Sequence, residues 1–309
     1  MDSYLYPTAS VKSREKKLFD QNDLERMIDA ENIDRSFKIF NELSYADELL
    51  DMESPLQYRE VLAHDLKQVK EYIASISPDD RLNELIFAQY DFHNLKIIFK
   101  AKSIDKEPEN LLEIKAISID EYNKITKQAE IDLKKASNSY KIESYFDKIY
   151  FSFILEKAKK IKDKFLINLV KKQIDIANLK IILRSKLLER DFEEMSESII
   201  ISNLNIQEDY NKDLNALINK LKIIFSENKI DEILNNFLEK KDYYNLEKNL
   251  DNYLISLIKN NKMSSESPSV LACYILAKKN AIKNIRIIMS GKINGIKSEE
   301  IKERVRELY

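Results

Sequence analysis

Residues 91–102 read DFHNLKIIFKAK, residues 175–186 read DIANLKIILRSK, and residues 281–292 read AIKNIRIIMSGK. One chain writes nearly the same twelve residues three times. At about 100° per residue, Phe92, Leu95, Ile98 and Phe99 fall in one arc of the first copy and Ile97 and Ala101 lie on another side. Only His93, Lys96 and Lys100 share a polar sector, and it is narrow. A helix with so thin a polar stripe is buried on most sides. The spacing therefore predicts that each copy is the central helix of a small helical unit. The other copies keep the pattern through Ile176, Leu179, Ile182 and Leu183, and through Ile282, Ile285, Ile288 and Met289.

Asn94, Asn178 and Asn284 flank the apolar arc, and a buried amide needs partners. Asp91 and Asp175 stand one turn before the first two, while position 281 is alanine. An upstream echo supplies Asp65 in HDLKQ, Asp147 in FDKIY and Asp251 in LDNYL. The expectation is that each upstream Asp and its Asn tie together the two main helices of their unit. These residues read as markers of the fold. The cations Lys96, Lys180 and Arg286, with Lys100 and Arg184, form the polar stripes. They read either as a solvated face or as contacts to an acidic partner.

Composition narrows the class. The chain has 309 residues, enough for two or three small domains, and 44% of them are hydrophobic against 34% charged, too apolar for a disordered chain. Lys+Arg is 51 and Asp+Glu is 53, a balance without the basic excess of a dedicated nucleic-acid binder. There are two glycines, Gly291 and Gly295, where ordinary usage would give roughly twenty. Glycine loops that cradle nucleotides cannot be built from two such positions, and sheet-rich folds lean on glycine for their turns. Five prolines complete the breakers, and residues 109–267 contain neither type. The fold class expected is all-α.

Helix signals follow along the chain. Asp20 and Asp23 offer caps for DQNDLERMIDA, residues 20–30. Ser54 and Pro55 open a strongly periodic run to Ser75, and SPDD at 77–80 ends it and caps the next helix. Residues 119–190 are dense in Ile, Leu, Lys and Glu, with one soft break at Ser137 to Ser139. Weaker helices cover 206–260, SSESPS at 264–269 is a loop, and a long helix starts near Ser269. Gly291 and Gly295 fit a helix end and a tight turn. Ser298 then opens a last helix carrying Ile301, Val305 and Leu308 on one stripe.

Catalytic material is sparse. Cys273, the one cysteine, lies in an apolar helical run and reads as a core residue in a reducing compartment. The two histidines, His64 and His93, are too few for the usual zinc spacings, and His64 reads as a surface pair with Glu60. No nucleophile–base pair, metal set or cofactor motif stands out. The N-terminal stretch MDSYLYPTASVKSREKK has no apolar signal core, and no run reaches the ~18 apolar residues of a membrane span.

Three units with a period too long for an ordinary solenoid, each ending in NLK or NIR, resemble one family in particular. The chain looks like the C subunit of the prokaryotic V/A-type ATPase or ATP synthase, the equivalent of the d subunit of the eukaryotic vacuolar enzyme. AKKNAIKNIRIIMSGKINGIKSEEIKERVRELY (277–309) carries the resemblance best, followed by YDFHNLKIIFKAK (90–102) and DIANLKIILRSKLL (175–188). The N-terminal region fits more loosely, with Pro7 and Ser10 interrupting the family's opening, and Lys279 and Ala281 stand where the third copy usually has acids. The resemblance implies three similar helical domains, here 1–110, 111–195 and 196–309, in a pseudo-threefold funnel. It implies a non-catalytic central-stalk protein that caps the membrane rotor ring and receives the central shaft, made of D- and F-type subunits. Such a protein couples ATP hydrolysis or synthesis to H+ or Na+ transport from the cytoplasmic face of the cell membrane, as a peripheral component without a cofactor. The alternative left open by the residues alone is a stand-alone helical adaptor that binds partner helices.

Overall fold

The computed structural model describes residues 4–42, 54–134, 138–200, 204–261 and 266–309. Among them the only regular elements are helices. They are α1 (Leu5–Glu15), α2 (Gln21–Asp29), α3 (Ile33–Glu42), α4 (Tyr58–Ile76), α5 (Arg81–Ser103), α6 (Ile119–Asp132), α7 (Ser139–Ile161), α8 (Lys164–Leu187), α9 (Phe192–Ser196), α10 (Gln207–Tyr210), α11 (Leu214–Phe225), α12 (Asn228–Lys240), α13 (Tyr243–Asn260), α14 (Pro268–Ile293) and α15 (Ser298–Arg304), with a short 3-10 turn over Pro55–Gln57. The all-α expectation holds.

The local chemistry explains most boundaries. Asp20 and Asp23 form a reciprocal capping box on α2, satisfying two of the backbone N–H groups that every helix start leaves open. Ser54 does the same for the 3-10 turn that leads into α4. At 77–80 the expected cap shifts by one residue: Asp80 makes no side-chain cap, and Asp79 accepts from the Arg81 N–H at 3.0 Å and grips the Arg81 guanidinium. The expected continuous run over 119–190 has a second break, where Lys162 turns left-handed and Asp163 caps α8. Asn138 caps α7; Ser137 lies outside the described residues, as do the first two residues of the 264–269 loop. The last helix is shorter than its stripe: it stops at Arg304, and Val305 is already extended. Ser298 does not cap it; the hydroxyl donates to the Ile28 carbonyl at 2.8 Å.

The described chain divides into two compact units, Met1–Pro78 with Asp251–Tyr309, and Asp79–Leu250. In the first, α14 is central and touches α1, α2, α3, α4 and α15. It buries Leu271, Ile275, Ile282, Ile285, Ile288 and Met289. In the second, α5 runs antiparallel to α7 along an aromatic seam: Phe92 meets Tyr150 and Phe153 edge-on, and Phe99 meets Phe146 at 5.1 Å. Such edge-to-face pairs add to the burial of large rings. The third copy of the repeat therefore lies in one unit and the first two in the other. No described helix is long and apolar enough to cross a membrane.

Candidate functional site

The repeated asparagines do one job three times. The Asn94 amide donates to the Leu112 carbonyl and its oxygen accepts from the Leu112 N–H, both at 2.8 Å. Asn178 closes the same two-bond ring on Ile200, at 3.0 and 2.8 Å. Asn284 closes it on Arg306, at 2.9 and 2.8 Å. In each case a side chain on the central helix holds one backbone residue of the segment that returns after that helix. An amide carries a donor and an acceptor side by side, so it can satisfy both backbone groups of a buried non-helical residue. Asp91 reinforces the first clamp by accepting from the Ala116 and Ile117 N–H groups. Asn280 reinforces the third by donating to the Glu307 carbonyl at 2.7 Å. Asp175 is half-buried beside Lys172 at 3.6 Å; burial raises its carboxyl pKa against the pull of that ammonium.

The ends of the central helices repeat too. In α5, α8 and α14 paired backbone bonds close the helix with a Schellman turn: Lys106 to Ala101 with Asp105 to Lys102, Arg190 to Ser185 with Glu189 to Lys186, and Ile296 to Gly291 with Gly295 to Lys292. The left-handed residues are Asp105, Glu189 and Gly295, at φ 52°, 54° and 65°. One turn earlier stand Ala101, Ser185 and Gly291, all small. Gly291 is required by closeness: a Cβ there would sit 2.7 Å from Ile301 Cδ1. The expectation of a helix end at Gly291 is thus refined, since Gly291 lies within the last turn of α14 and Gly295 makes the turn itself.

The upstream acids each meet a cation. Asp65 lies 3.1 Å from the Lys278 ammonium in a pair almost without solvent, Asp147 receives Lys96 at 2.5 Å, and Asp251 receives Lys283 and the Arg306 guanidinium at 2.5 and 3.1 Å. The bonds at these positions are acid–cation pairs for the acids and amide–backbone rings for the asparagines. The reason is donor arithmetic: a carboxylate only accepts, so an ammonium satisfies it better than an amide already committed on both sides.

The five repeated cations divide by setting. Lys96 pairs with Asp147 and Lys100 with Glu143, and both fasten α5 to α7. Lys180 is half-buried, and its carbonyl accepts from the Tyr243 hydroxyl at 3.1 Å. Arg184 and Arg286 are exposed. His64 contacts Gln68 at 3.0 Å, and Cys273 is buried. Among the described residues, no group of His, Cys, Asp and Glu is arranged to hold a metal ion.

Among the buried cations that sequence reading missed is one on α7. Lys157 Nζ lies 2.5 Å from Glu84 and 2.8 Å from Glu121, joining α7 to α5 and α6. Its place was legible, because 146, 150, 153 and 157 recur on the aromatic face of α7. A lysine in that register needs an acid opposite it.

Helical hairpins tied to returning segments, with their polar residues spent on one another, define an all-α scaffold. The model of the ATP synthase (C/AC39) subunit family matches residues 7–304, and the chain belongs to that family. It is 25% identical to the C subunit of the A-type ATP synthase of Methanocaldococcus jannaschii, over 97% of this chain and 85% of that one. It is 23% identical to the C subunit of the V-type sodium ATPase of Enterococcus hirae, over 97% of both. The chain is thus a structural, non-catalytic subunit of an A/V-type rotary ATPase.

Proposed function

We propose that this chain is the central-stalk subunit that caps the membrane rotor ring and receives the central shaft of D- and F-type subunits. In this reading it lies at the cytoplasmic face of the cell membrane and passes rotation between ATP chemistry and H+ or Na+ transport. Its repeats, 1–110, 111–195 and 196–309, form a pseudo-threefold, funnel-like body.

The observation that carries the reading is a cyclic pattern of helix pairing inside the units. The long helix that precedes the central one in the second repeat, α7, packs on the central helix of the first, α5. The Tyr243 hydroxyl at the start of α13 bonds to α8, linking the helix before the third repeat's central one to the second repeat's central helix. Asp65 of α4 and Lys278 of α14 link the helix before the first repeat's central one to the third repeat's central helix. These links, each within one unit, support reading the main helices of successive repeats as neighbours. The scarcity of glycine and proline suits a part that must carry torque without bending. Lys180, Arg184 and Arg286 are the repeated cations that offer positive charge to acidic groups of the shaft.

Mixing the purified chain with the shaft complex and with the membrane ring tests the role directly. A bridge between the two is expected, and binding to neither overturns the proposal. Reversing the charges of Lys180, Arg184 and Arg286 together should weaken shaft binding at least tenfold. Unchanged shaft affinity removes those three residues from the interface.

A further inference from the structure

Helix α1 divides cleanly by face. Pro7, Thr8 and Val11 are buried, Ser10 contacts the Tyr72 hydroxyl at 2.5 Å, and the Arg14 guanidinium stacks 3.6 Å over the Tyr72 ring. Glu15 turns toward Tyr309, whose hydroxyl lies 3.3 Å away. Helix α1 packs on α14, and Ser10 and Arg14 fasten it to Tyr72 of α4. The outward residues of the helix and the turn that follows are Leu5, Tyr6, Ala9, Lys12, Ser13, Lys16 and Lys17, all exposed. Leu5 and Tyr6 keep 60% and 69% of their surface in solvent. That face holds three lysines and two large apolar side chains, and it holds no acid.

The contacts just named secure α1 from its other side. Lysines near a helix C-terminus ease the macrodipole, but an exposed Leu–Tyr pair on the same face gains nothing from it. A face with apolar and aromatic groups in its first turn and lysines beyond it matches what an interfacial helix presents to lipid: side chains that enter the headgroup layer, with ammonium groups at phosphate level. Lysine binds phosphate as a flexible point charge, whereas protein carboxylates are gripped best by the arginine fork. The one arginine of α1 is stacked on Tyr72 instead.

We propose that the outward face of α1 is a docking surface for an anionic phospholipid membrane. Leu5 and Tyr6 enter the interface, and Lys12, Lys16 and Lys17 meet the phosphates. This goes beyond the coupling role and does not depend on it, because lipid contact can hold whether or not the chain bridges shaft and ring. Each basic residue near an anionic leaflet strengthens binding about fivefold, so three give on the order of a hundredfold preference over a neutral surface.

Flotation of the full chain with vesicles tests this, comparing phosphatidylglycerol mixed into phosphatidylcholine with phosphatidylcholine alone. Binding to the anionic vesicles, lost in high salt, is expected. Lys12→Gln, Lys16→Gln and Lys17→Gln combined should weaken it about a hundredfold, and Leu5→Ser with Tyr6→Ser should weaken it at either salt level. Both variants change only exposed side chains, and an unchanged melting temperature confirms that they fold. Absence of vesicle binding overturns the proposal, as does equal binding by the lysine variant. Preference for an acidic polypeptide such as polyglutamate over the vesicles also overturns it, and assigns the face to a protein partner.

Discussion

Arg306, which Asn284 holds, has no chemistry in common with Leu112, which Asn94 holds, except the backbone. The clamp reads a peptide N–H and a peptide C=O, so the returning residue is free to be Leu112, Ile200 or Arg306. Asn284→Ala leaves both groups of a buried residue unpaired, at about 1–3 kcal/mol for each. The expected loss is about 2–6 kcal/mol in urea unfolding. Asn94→Ala should cost less, because Leu112 is only half-buried and water can replace the amide. The glycines separate two kinds of constraint. Gly295→Ala meets open space but keeps a left-handed φ, a strain of about 1–2 kcal/mol. Gly291→Ala meets Ile301, an overpacking cost of about 1–3 kcal/mol. Pairing Gly291→Ala with Ile301→Ala should remove that clash, so the double variant is expected to lose less than the two single losses added together.

At the scale of elements, Lys157 decides how α5, α6 and α7 fit. Burial alone would raise the Glu121 carboxyl and lower the Lys157 ammonium. Their hydrogen bonds and mutual attraction, with Glu84, win over burial and move both the other way. A depressed Glu121 contributes fully above its ordinary 4.5 and loses that contribution as pH falls through its lowered value. A raised Lys157 contributes below its ordinary 10.5 and loses it only as pH climbs through its raised value. The cluster therefore acts undiminished through the neutral range. Lys157→Met should cost about 3 kcal/mol, at the low end for a broken buried pair because Glu121 keeps part of its hydration. Melting curves should show a constant gap between the two proteins from about pH 6 to 9 that closes in acid. A gap independent of pH down to full protonation of the acids would contradict the electrostatic account. Helix existence and type were legible from periodicity and from the near-absence of breakers. The boundaries at Asp79, Lys162 and Arg304 were not, because each depends on which polar group reaches an open backbone donor first or on what captures the chain afterwards.

For the whole molecule, the pair of Asp65 and Lys278 is the link to test, since it joins α4 to α14, more than 200 positions apart in sequence. Removing either partner strands a buried charge and should cost about 3–5 kcal/mol. Replacing both, Asp65→Leu with Lys278→Met, should recover most of that loss, and a double-mutant cycle gives the coupling. Full additivity of the single losses would mean that the two side chains do not act as a pair. The linear chain by itself determined the helical class, the threefold writing of one central helix and the absence of glycine-built ligand loops. Those follow from local spacing, which helical geometry converts directly into faces. Only the tertiary structure decided that Asn284 holds a backbone, that Asp147 belongs to Lys96, and that Lys157 bridges three helices. The physical reason is that a polar side chain chooses among partners by distance in space. In a sequence where a third of the residues are charged, many acids and cations compete for each place, and only packing brings one of them within hydrogen-bond reach.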